Sequence, residues 1–388
     1  TGSASRPSRP GGGCAHCPRG GAPPGGQMGC HASANANPAW PAGGTGPAGG
    51  LCSHYGLCSP IGEGSFGQVH KAMCLQTQRS RAVKVLDLCG EGPESRARLA
   101  RAARHEQRVW ERVGRNEYCV ELLGTFHERD CCFFAMELCA ASLMDRMSDI
   151  ARMSLAEQAR LFREMLLGIK HVHSLRIAHR DIKPNNFLLG ADASVPVKLC
   201  DFGLSAMLPR GCSLLKGCYG TAPYMAPEMV AESGHSLSAD MWSYGVSVYV
   251  MLYRTFPYAP KEYSSKSMKV AILDGVPEPT FARSQKSGRR ASARGPDAAD
   301  AADAAERFAR SLLQRDAWQR LTVGQALALP LVARSGKAGQ DGKMARQGSN
   351  ASTTCSGISD ESTQSGSAYR QGASSSQESL AAAPEGAD

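Results

Sequence analysis

The sequence predicts an α+β fold in two lobes, flanked by disordered tails. The N-terminal lobe is expected to be a small five-stranded antiparallel sheet with one main helix, and the C-terminal lobe to be larger and helical. Three observations predict this. Up to Glu137, short β-branched and aromatic runs punctuated by glycine alternate with one long stretch of helical period. Beyond Glu137 the periodicity is mostly helical. At the ends, aliphatic residues give way to Gly, Pro, Ala and Ser, or to Ser, Gly, Gln and Ala, which cannot offset the entropy of ordering. The boundaries are a Gly/Pro-rich segment 1–53, a folded region 54–333 divided near 138, and a Ser/Gly/Gln-rich tail 334–388. A region of that size exceeds a comfortable single core, hence the two lobes.

Leu57–Ile61 and Gln68–Ala72 read as strands around a glycine-rich turn, and Arg81–Leu86 as a third. Pro93 through Val113 carries helical periodicity, with Glu106, Val109, Trp110 and Val113 on one face. Leu122–Phe126 and Cys132–Glu137 complete the sheet. In the larger lobe Leu155–Ser174 is amphipathic, with Leu161, Phe162, Met165, Leu166 and Ile169 as its apolar stripe. A polar loop at 179–186 and short strands Phe187–Leu189 and Val197–Cys200 follow. Ala239–Tyr253 is apolar nearly all round, which marks a buried helix; Met268–Leu273 and Ala304–Leu313 read as later helices. Between these two, Ser284–Asp303 is basic and then an Asp/Ala alternation, and is expected to be a disordered surface loop.

No apolar run approaches the ~18 residues of a membrane helix, so no membrane segment is expected. The 15 cysteines are scattered, several within strands; a reduced cytoplasmic or nuclear setting is expected rather than a disulfide scaffold. The chain begins with Thr1 and not Met, so it is read as a fragment and no targeting signal is assigned. The net charge of +9 owes much to the arginines of 96–115, set among Ala and Leu at helical spacing. A solvated helix face is expected there, not a nucleic-acid surface. Cys14, His16, Cys17, Cys30 and His31 have a zinc-like grouping, but the surrounding Gly and Pro supply no framework, and no metal site is expected.

The residues that carry chemistry occur in a telling order. Gly62-Glu63-Gly64-Ser65-Phe66-Gly67 lets backbone approach phosphate groups and donate N–H bonds to them. Dinucleotide folds share this glycine spacing but run from strand into helix, whereas here the turn leads into a strand at Val69. Phe66 would cap the loop tip. Lys84 lies in an apolar strand, and the helix after it offers Glu106. Glu111 competes, but it stands off the Val109/Trp110/Val113 face, so Glu106 is preferred. Then come His179-Arg180-Asp181-Ile182-Lys183-Pro184-Asn185-Asn186 and Asp201-Phe202-Gly203. A phosphate cover, a lysine, a base with its amide and a carboxylate for a hard cation form the order that phosphoryl transfer needs. Singly, Asp181 or Asn186 reads as a turn-capping residue. The joint order and spacing speak against coincidence.

Gly62–Val69, Val83-Lys84, His179–Asn186, Asp201–Gly203 and Ala226-Pro227-Glu228 together resemble the signature set of eukaryotic protein kinases, and the likeness spans 54–333. The resemblance implies the two-lobed protein-kinase-like fold, with ATP and Mg²⁺ as cofactors. It implies Asp181 as the base, Lys183 and Lys84 on the phosphates, a Lys84–Glu106 pair, and Asn186 and Asp201 as metal ligands. The nucleotide would lie against Ile61, Gly62, Glu63, Gly64, Ser65, Phe66, Gly67, Val69, Ala82, Met136, Glu137, Cys139 and Leu188. Met136 would be the gatekeeper, and the backbone of Glu137 and Cys139 would meet adenine. Asp240–Gly245 resembles the family's buried large-lobe helix, and Arg320 the arginine that pairs with Glu228. Trp110, Leu122, His179 and Phe202 resemble an apolar spine joining the lobes. Ala140-Ala141-Ser142 departs from the usual Gly-Gly pair plus acidic residue, so no ribose or substrate contact is assigned there.

Lys183, two residues after the base, and Gly220-Thr221-Ala222-Pro223-Tyr224-Met225 resemble the serine/threonine branch, in which Thr221 bonds the base and the lysine. The implied partner is a protein bearing Ser or Thr. Within the branch, Val197–Ser205 and Tyr219–Met229 resemble calcium/calmodulin-dependent and calcium-dependent kinases. No Asp-x-Asp-x-Asp-Gly loop ending in Glu is present, so there is no EF-hand, and calcium control would need a partner or a missing segment. Arg180 stands where relatives often receive a phosphate from the activation segment. Four residues before Thr221, the family's usual phosphothreonine position, stands Gly217; activity is expected not to depend on a phosphate there, Ser213 being the weaker candidate. Asn185 replaces the Glu of arginine-directed relatives and leaves sequence preference open, although Arg289-Arg290-Ala291-Ser292 resembles such a site. Cys200 is expected to be buried beside the nucleotide and open to alkylation. The alternative is a pseudokinase or scaffold that binds nucleotide with little transfer. Loss of Lys84, Asp181, Asn186 or Asp201 would favour it, and all four are present.

Overall fold

The computed structural model describes residues 50–64, 67–128, 130–190, 195–211, 214–281 and 296–333. The zinc-like grouping, Ser65, Phe66, Ser213, the 289–292 site and the 334–388 tail lie outside the described residues.

Strands β1 (Tyr55–Gly64) and β2 (Gly67–Cys74) form a hairpin across the glycine-rich turn, with β3 (Ser80–Asp87) beside β2. After α1 (Pro93–Val113) come β4 (Leu122–Glu128) and β5 (Cys131–Glu137), which close a five-stranded antiparallel sheet in the order β1-β2-β3-β5-β4. Lys84 stands at its centre, opposite Val69 on one side and Phe134 on the other. The edge strand β1 is irregular around Pro60, where a residue without an N–H is tolerated. Pro93 opens α1 at a position whose N–H would have no partner anyway, and Gly114, at φ 62, ends it. Its buried face is Ala103, Glu106, Val109, Trp110 and Val113, while Arg101, Arg108 and Arg112 are exposed. One carboxylate, Glu106, is thus carried inward.

The core reaches further toward the N-terminus than the apolar pattern suggests. Leu51 is buried with Ala72, Val83 and Phe126, and its N–H donates to Glu128 Oε1 at 2.9 Å. A lone leucine after Gly49-Gly50 carries no periodic signal, so the boundary expected near 54 falls a few residues late.

The larger lobe runs through β6 (Ala141–Ser142), α2 (Met147–Ile150) and α3 (Leu155–Ser174), which a Ser154/Glu157 capping box opens. Short strands β7 (Ile177–Ala178), β8 (Phe187–Leu189), β9 (Lys198–Leu199) and β10 (Ala206–Met207) carry the functional loops between them. They pair as β6-β8-β9 and β7-β10. Helices α4 (Pro227–Val230), α5 (Ser238–Tyr253), α6 (Ser265–Asp274), α7 (Pro296–Leu312) and α8 (Val323–Ala328) complete it. Every residue of α5 from Ala239 to Tyr253 is buried, which makes it the lobe's axis. The loop after α1 is tied to this lobe: Val120 N–H donates to Leu199 O (2.9 Å), and Leu199 N–H to Tyr118 O (2.8 Å).

One expectation is corrected. Helix α7 begins at Pro296, inside the 284–303 stretch read as a loop. The Asp/Ala alternation is rich in the strongest helix former, and proline fits the first helical position, so propensity outweighs low complexity. Among the described residues no helix is long and apolar enough to cross a membrane.

Candidate active site

The loop carrying Asp181 is held from below by Asp240 of α5. Its Oδ2 accepts the His179 N–H at 2.8 Å and His173 Nε2–H at 2.9 Å, and its Oδ1 accepts the Arg180 N–H at 2.8 Å. Burial alone would push the Asp240 carboxyl up; the bond and charge of His173, with His179, outweigh it and hold it below the usual range. This grip keeps Arg180 in the left-handed region, φ 65, which side chains occupy only when their surroundings impose it. The His179 ring accepts Asp181 N–H at Nδ1 (3.3 Å) and donates Nε2–H to Cys200 O (3.0 Å), joining the two functional loops. Sequence reasoning identifies the helix and misses this anchor. The signal available is a carboxylate in a helix otherwise apolar all round, since a buried charge must be paired.

Asp181 is 9% exposed and bonded on both oxygens. Oδ1 accepts the N–H (3.0 Å) and hydroxyl (2.8 Å) of Thr221. Oδ2 pairs with Lys183 Nζ at 2.7 Å and accepts Asn186 Nδ2–H at 3.1 Å. Lys183 Nζ also donates to Thr221 Oγ1 at 2.7 Å, so base, lysine and threonine form a closed ring. Gly220 permits it: its φ is +106, and a Cβ there would stand 2.4 Å from Arg180 O.

Across from this ring Lys84 Nζ lies 2.7 Å from Glu106 and 2.9 Å from Asp201, whose backbone is also left-handed at φ 64. Glu111 is instead bonded to Gln107 on the exposed face, as the helical spacing requires. Lys84 and Glu106 are 6% and 2% exposed, so burial and the charges around them set their protonation. Burial works against the Lys84 ammonium, but the charges of Asp201 and Glu106 carry its pKa above the ordinary value. Burial raises Glu106, and Asp201 adds to the rise against the opposing pull of Lys84. Burial would likewise raise Asp201, yet the charge and bond of Lys84 leave it lowered. Two carboxylates share one ammonium here, and the excess is negative.

That excess fits a hard cation. Asn186 spends its Nδ2 hydrogens on Asp181 O (2.7 Å) and Oδ2, which leaves Oδ1 as an acceptor, and Asp201 keeps Oδ2 beyond its bond to Lys84. Among the described residues no group of three or more His, Cys, Asp or Glu side chains would hold a metal by itself. A cation held at Asn186 and Asp201 would therefore need further oxygen ligands to complete its shell.

An aromatic column joins the lobes. Phe202 lies 5.6 Å from Trp110 and 5.5 Å from His179 between ring centroids, and Trp110 continues to Phe134 at 5.9 Å. Leu122, expected in the column, is registered opposite Met136. His105 Nε2 bonds Ser205 O at 2.7 Å, a second tie between α1 and the Asp201 segment. At the end of β5 the Glu137 carboxylate accepts Lys198 Nζ (2.8 Å) and the Glu121 N–H (2.8 Å). Of the residues expected on the nucleotide, Ala82 and Met136 are buried opposite each other, Val69 and Leu188 are half-buried, and Ile61 is exposed. Gly67 abuts β3, where a Cβ would meet Val85 O at 2.0 Å, so its glycine serves packing as well as any phosphate. Cys200 is half-buried, and burial with Asp201 and Cys139 pushes its thiol well above the ordinary value. Burial and Glu137 push Cys139 up to about 12. Protonated thiols are poor nucleophiles, which weighs against the alkylation expected at Cys200.

Comparison with known proteins agrees with this geometry. Residues 55–332 match the family described as protein kinase domain. The chain is 29% identical over 276 residues to hormonally up-regulated neu tumor-associated kinase of Mus musculus, covering 69% of this chain and 35% of that protein. It is 32% identical over 221 residues to serine/threonine-protein kinase PLK4 of Drosophila sechellia (56% and 28% covered). It is also 32% identical over 199 residues to serine/threonine-protein kinase PEPKR2 of Arabidopsis thaliana (51% and 39% covered). It thus spans about a third of the length of these relatives. The matched stretch takes in more than half of the chain and every residue of the site, and the chain belongs to the protein kinase domain family.

Proposed function

We propose that the chain is an ATP- and Mg²⁺-dependent protein serine/threonine kinase that transfers the γ-phosphate of ATP to a hydroxyl of a protein substrate. The observation that carries this is the closed Asp181–Lys183–Thr221 ring facing a formed Lys84–Glu106–Asp201 cluster. Asp181 would take the proton of the substrate hydroxyl while that oxygen bonds to the γ-phosphorus and the bond to the ADP oxygen breaks. Thr221 and Asn186 keep the carboxylate turned toward the hydroxyl. Lys183 places a positive charge beside the base, where the transferred phosphate gathers negative charge. Lys84, fixed by Glu106, would hold the α- and β-phosphates. Mg²⁺, when bound by Asn186 and Asp201, neutralises charge on the phosphate oxygens.

Lys183 and Thr221 support a serine/threonine substrate, and the names of two relatives carry the same class. On Val197–Ser205 and Tyr219–Met229 we group the chain with calcium/calmodulin-dependent and calcium-dependent kinases, any calcium control coming from a partner. The scattered cysteines support a cytoplasmic or nuclear site of action. Turnover of ATP/Mg²⁺ on a generic Ser/Thr substrate tests the main reading, with Asp181→Asn and Lys84→Met as controls. Each variant is expected to lose at least ~100-fold in kcat. Nucleotide binding without any transfer would favour the pseudokinase; transfer unchanged in both variants would remove the assignment.

A further inference from the structure

Arg180, next to the base, is engaged from two directions. Its Nε donates to Leu204 O at 2.6 Å, and its guanidinium carbon lies 4.1 Å from the centre of the Tyr219 ring. The same ring is packed against Gly217. A Cβ at Gly217 would stand 2.5 Å from Tyr219 Cε2, and Gly217 has φ +89, so a larger residue there displaces the ring. Two residues after Tyr219, Thr221 holds Asp181; two before Gly217, Leu215 exchanges both backbone bonds with His235 at 2.7 and 2.9 Å. The 215–221 segment is therefore held near both ends, at Leu215 and Thr221, with the ring and a Cys218 Sγ–Met225 Sδ contact of 3.6 Å between them.

We propose that the Tyr219 ring is a built-in latch: stacked on Arg180, it holds 215–221 where Thr221 reaches Asp181, so that transfer requires no phosphate on this segment. This rests on the kinase reading above. A planar guanidinium over an aromatic face is attracted by the ring quadrupole, more strongly where water is partly excluded. Gly217 is the complement of that arrangement, since it alone leaves room for the ring. Tyr219 does not touch the reacting atoms; it is a positioning residue acting through Arg180. A ring that merely filled space would be replaceable by leucine, whereas a latch that works through the aromatic face would not.

The test uses the full chain, with and without phosphatase treatment. Wild type should keep its kcat after treatment. Tyr219→Phe, which preserves the aromatic face and gives up only the hydroxyl's bond to Arg180, should lose no more than about threefold, and Tyr219→Leu should lose roughly tenfold in kcat with the KM for ATP little changed. Gly217→Ala should reproduce the leucine variant, and the double variant should be no worse than either single, because both act through one ring. Trypsin cleavage after the exposed Lys216, followed without ATP, should be faster in Tyr219→Leu and Gly217→Ala but not in Tyr219→Phe. That readout needs no transfer, so it separates failure of the latch from failure of the kinase reading. Full kcat in Tyr219→Leu, unchanged cleavage, or loss of wild-type activity on phosphatase treatment each overturns the proposal.

Discussion

Replacing Asp240 by alanine should cost the fold and the chemistry together, and the structure gives the size of each. The carboxylate accepts three bonds, from His173, His179 and Arg180, inside a fully buried helix. Alanine leaves two buried backbone N–H groups and one imidazole without partners, at about 1–3 kcal/mol for each group. A total of about 4 kcal/mol agrees with the cost of breaking a buried charge pair. For a domain this large that lowers Tm by about 8 °C. Asp240→Asn keeps one acceptor oxygen and should lose about half as much. Arg180, freed from its left-handed conformation, would relax and carry Asp181 with it, so kcat should fall more than KM rises. The pH dependence has a definite sign. Because the folded-state pKa of Asp240 is depressed, its contribution is present above the unfolded value, about 3.9, and is lost as pH falls through the folded one. The gap in Tm between wild type and Asp240→Asn should thus be constant near neutrality and shrink below about pH 4. Calorimetry at a series of pH values measures it. A Tm for Asp240→Ala within about 1 °C of wild type at pH 7 would refute the anchoring argument.

Other perturbations follow from single contacts. Arg320 meets both oxygens of Glu228, at 2.7 and 3.0 Å, with its side chain 0% exposed; Arg320→Ala should cost about 3–5 kcal/mol in denaturant unfolding. Arg320→Lys should recover little of that, because the ammonium lacks the two-pronged fit. Both ring nitrogens of His235 are buried without hydrogen-bond partners among the described residues, and burial with the nearby Arg180 charge lowers its pKa to about 4. On acidification the unfolded chain takes up this proton first, so stability should fall between pH 6.5 and about 4. His235→Phe should flatten that slope and raise stability at pH 5, read from urea midpoints. Gly220→Ala should drive a Cβ into Arg180 O and part Thr221 from Asp181, lowering kcat at least ~10-fold while nucleotide binding by calorimetry is retained.

The parts of the fold and site that sequence reveals are those whose physics is local. Helical spacing alone turns Glu106 inward and Glu111 outward, and in the structure Lys84 bonds Glu106 while Glu111 bonds Gln107. The strand context of Gly62–Gly67 separates a hairpin from a dinucleotide turn without tertiary information. Asp240 is different: its partners lie about 60 residues away, and nothing near it in sequence announces them. Leu51 and the start of α7 are missed because composition masks them, a glycine pair in one case and an alanine run in the other. The reactivity of Cys200 depends on desolvation, which only the packed structure supplies.

The bonds from Tyr118 and Val120 to Leu199 divide the molecule mechanically at a place the chain order does not suggest. The turn after α1 is bound to the large lobe, and Trp110 and His105 bind the helix itself to the Asp201 segment, so any tilt of α1 would pivot near its C-terminal end, where Gly114 sits at φ 62. Glu106 lies about 10 Å from that pivot along the helix and Pro93 about 30 Å. A tilt of about 10° would then carry Pro93 about 5 Å but Glu106 only about 2 Å. Such a tilt would move the exposed outer end of the helix most, while the carboxylate that holds Lys84 stays close to its post.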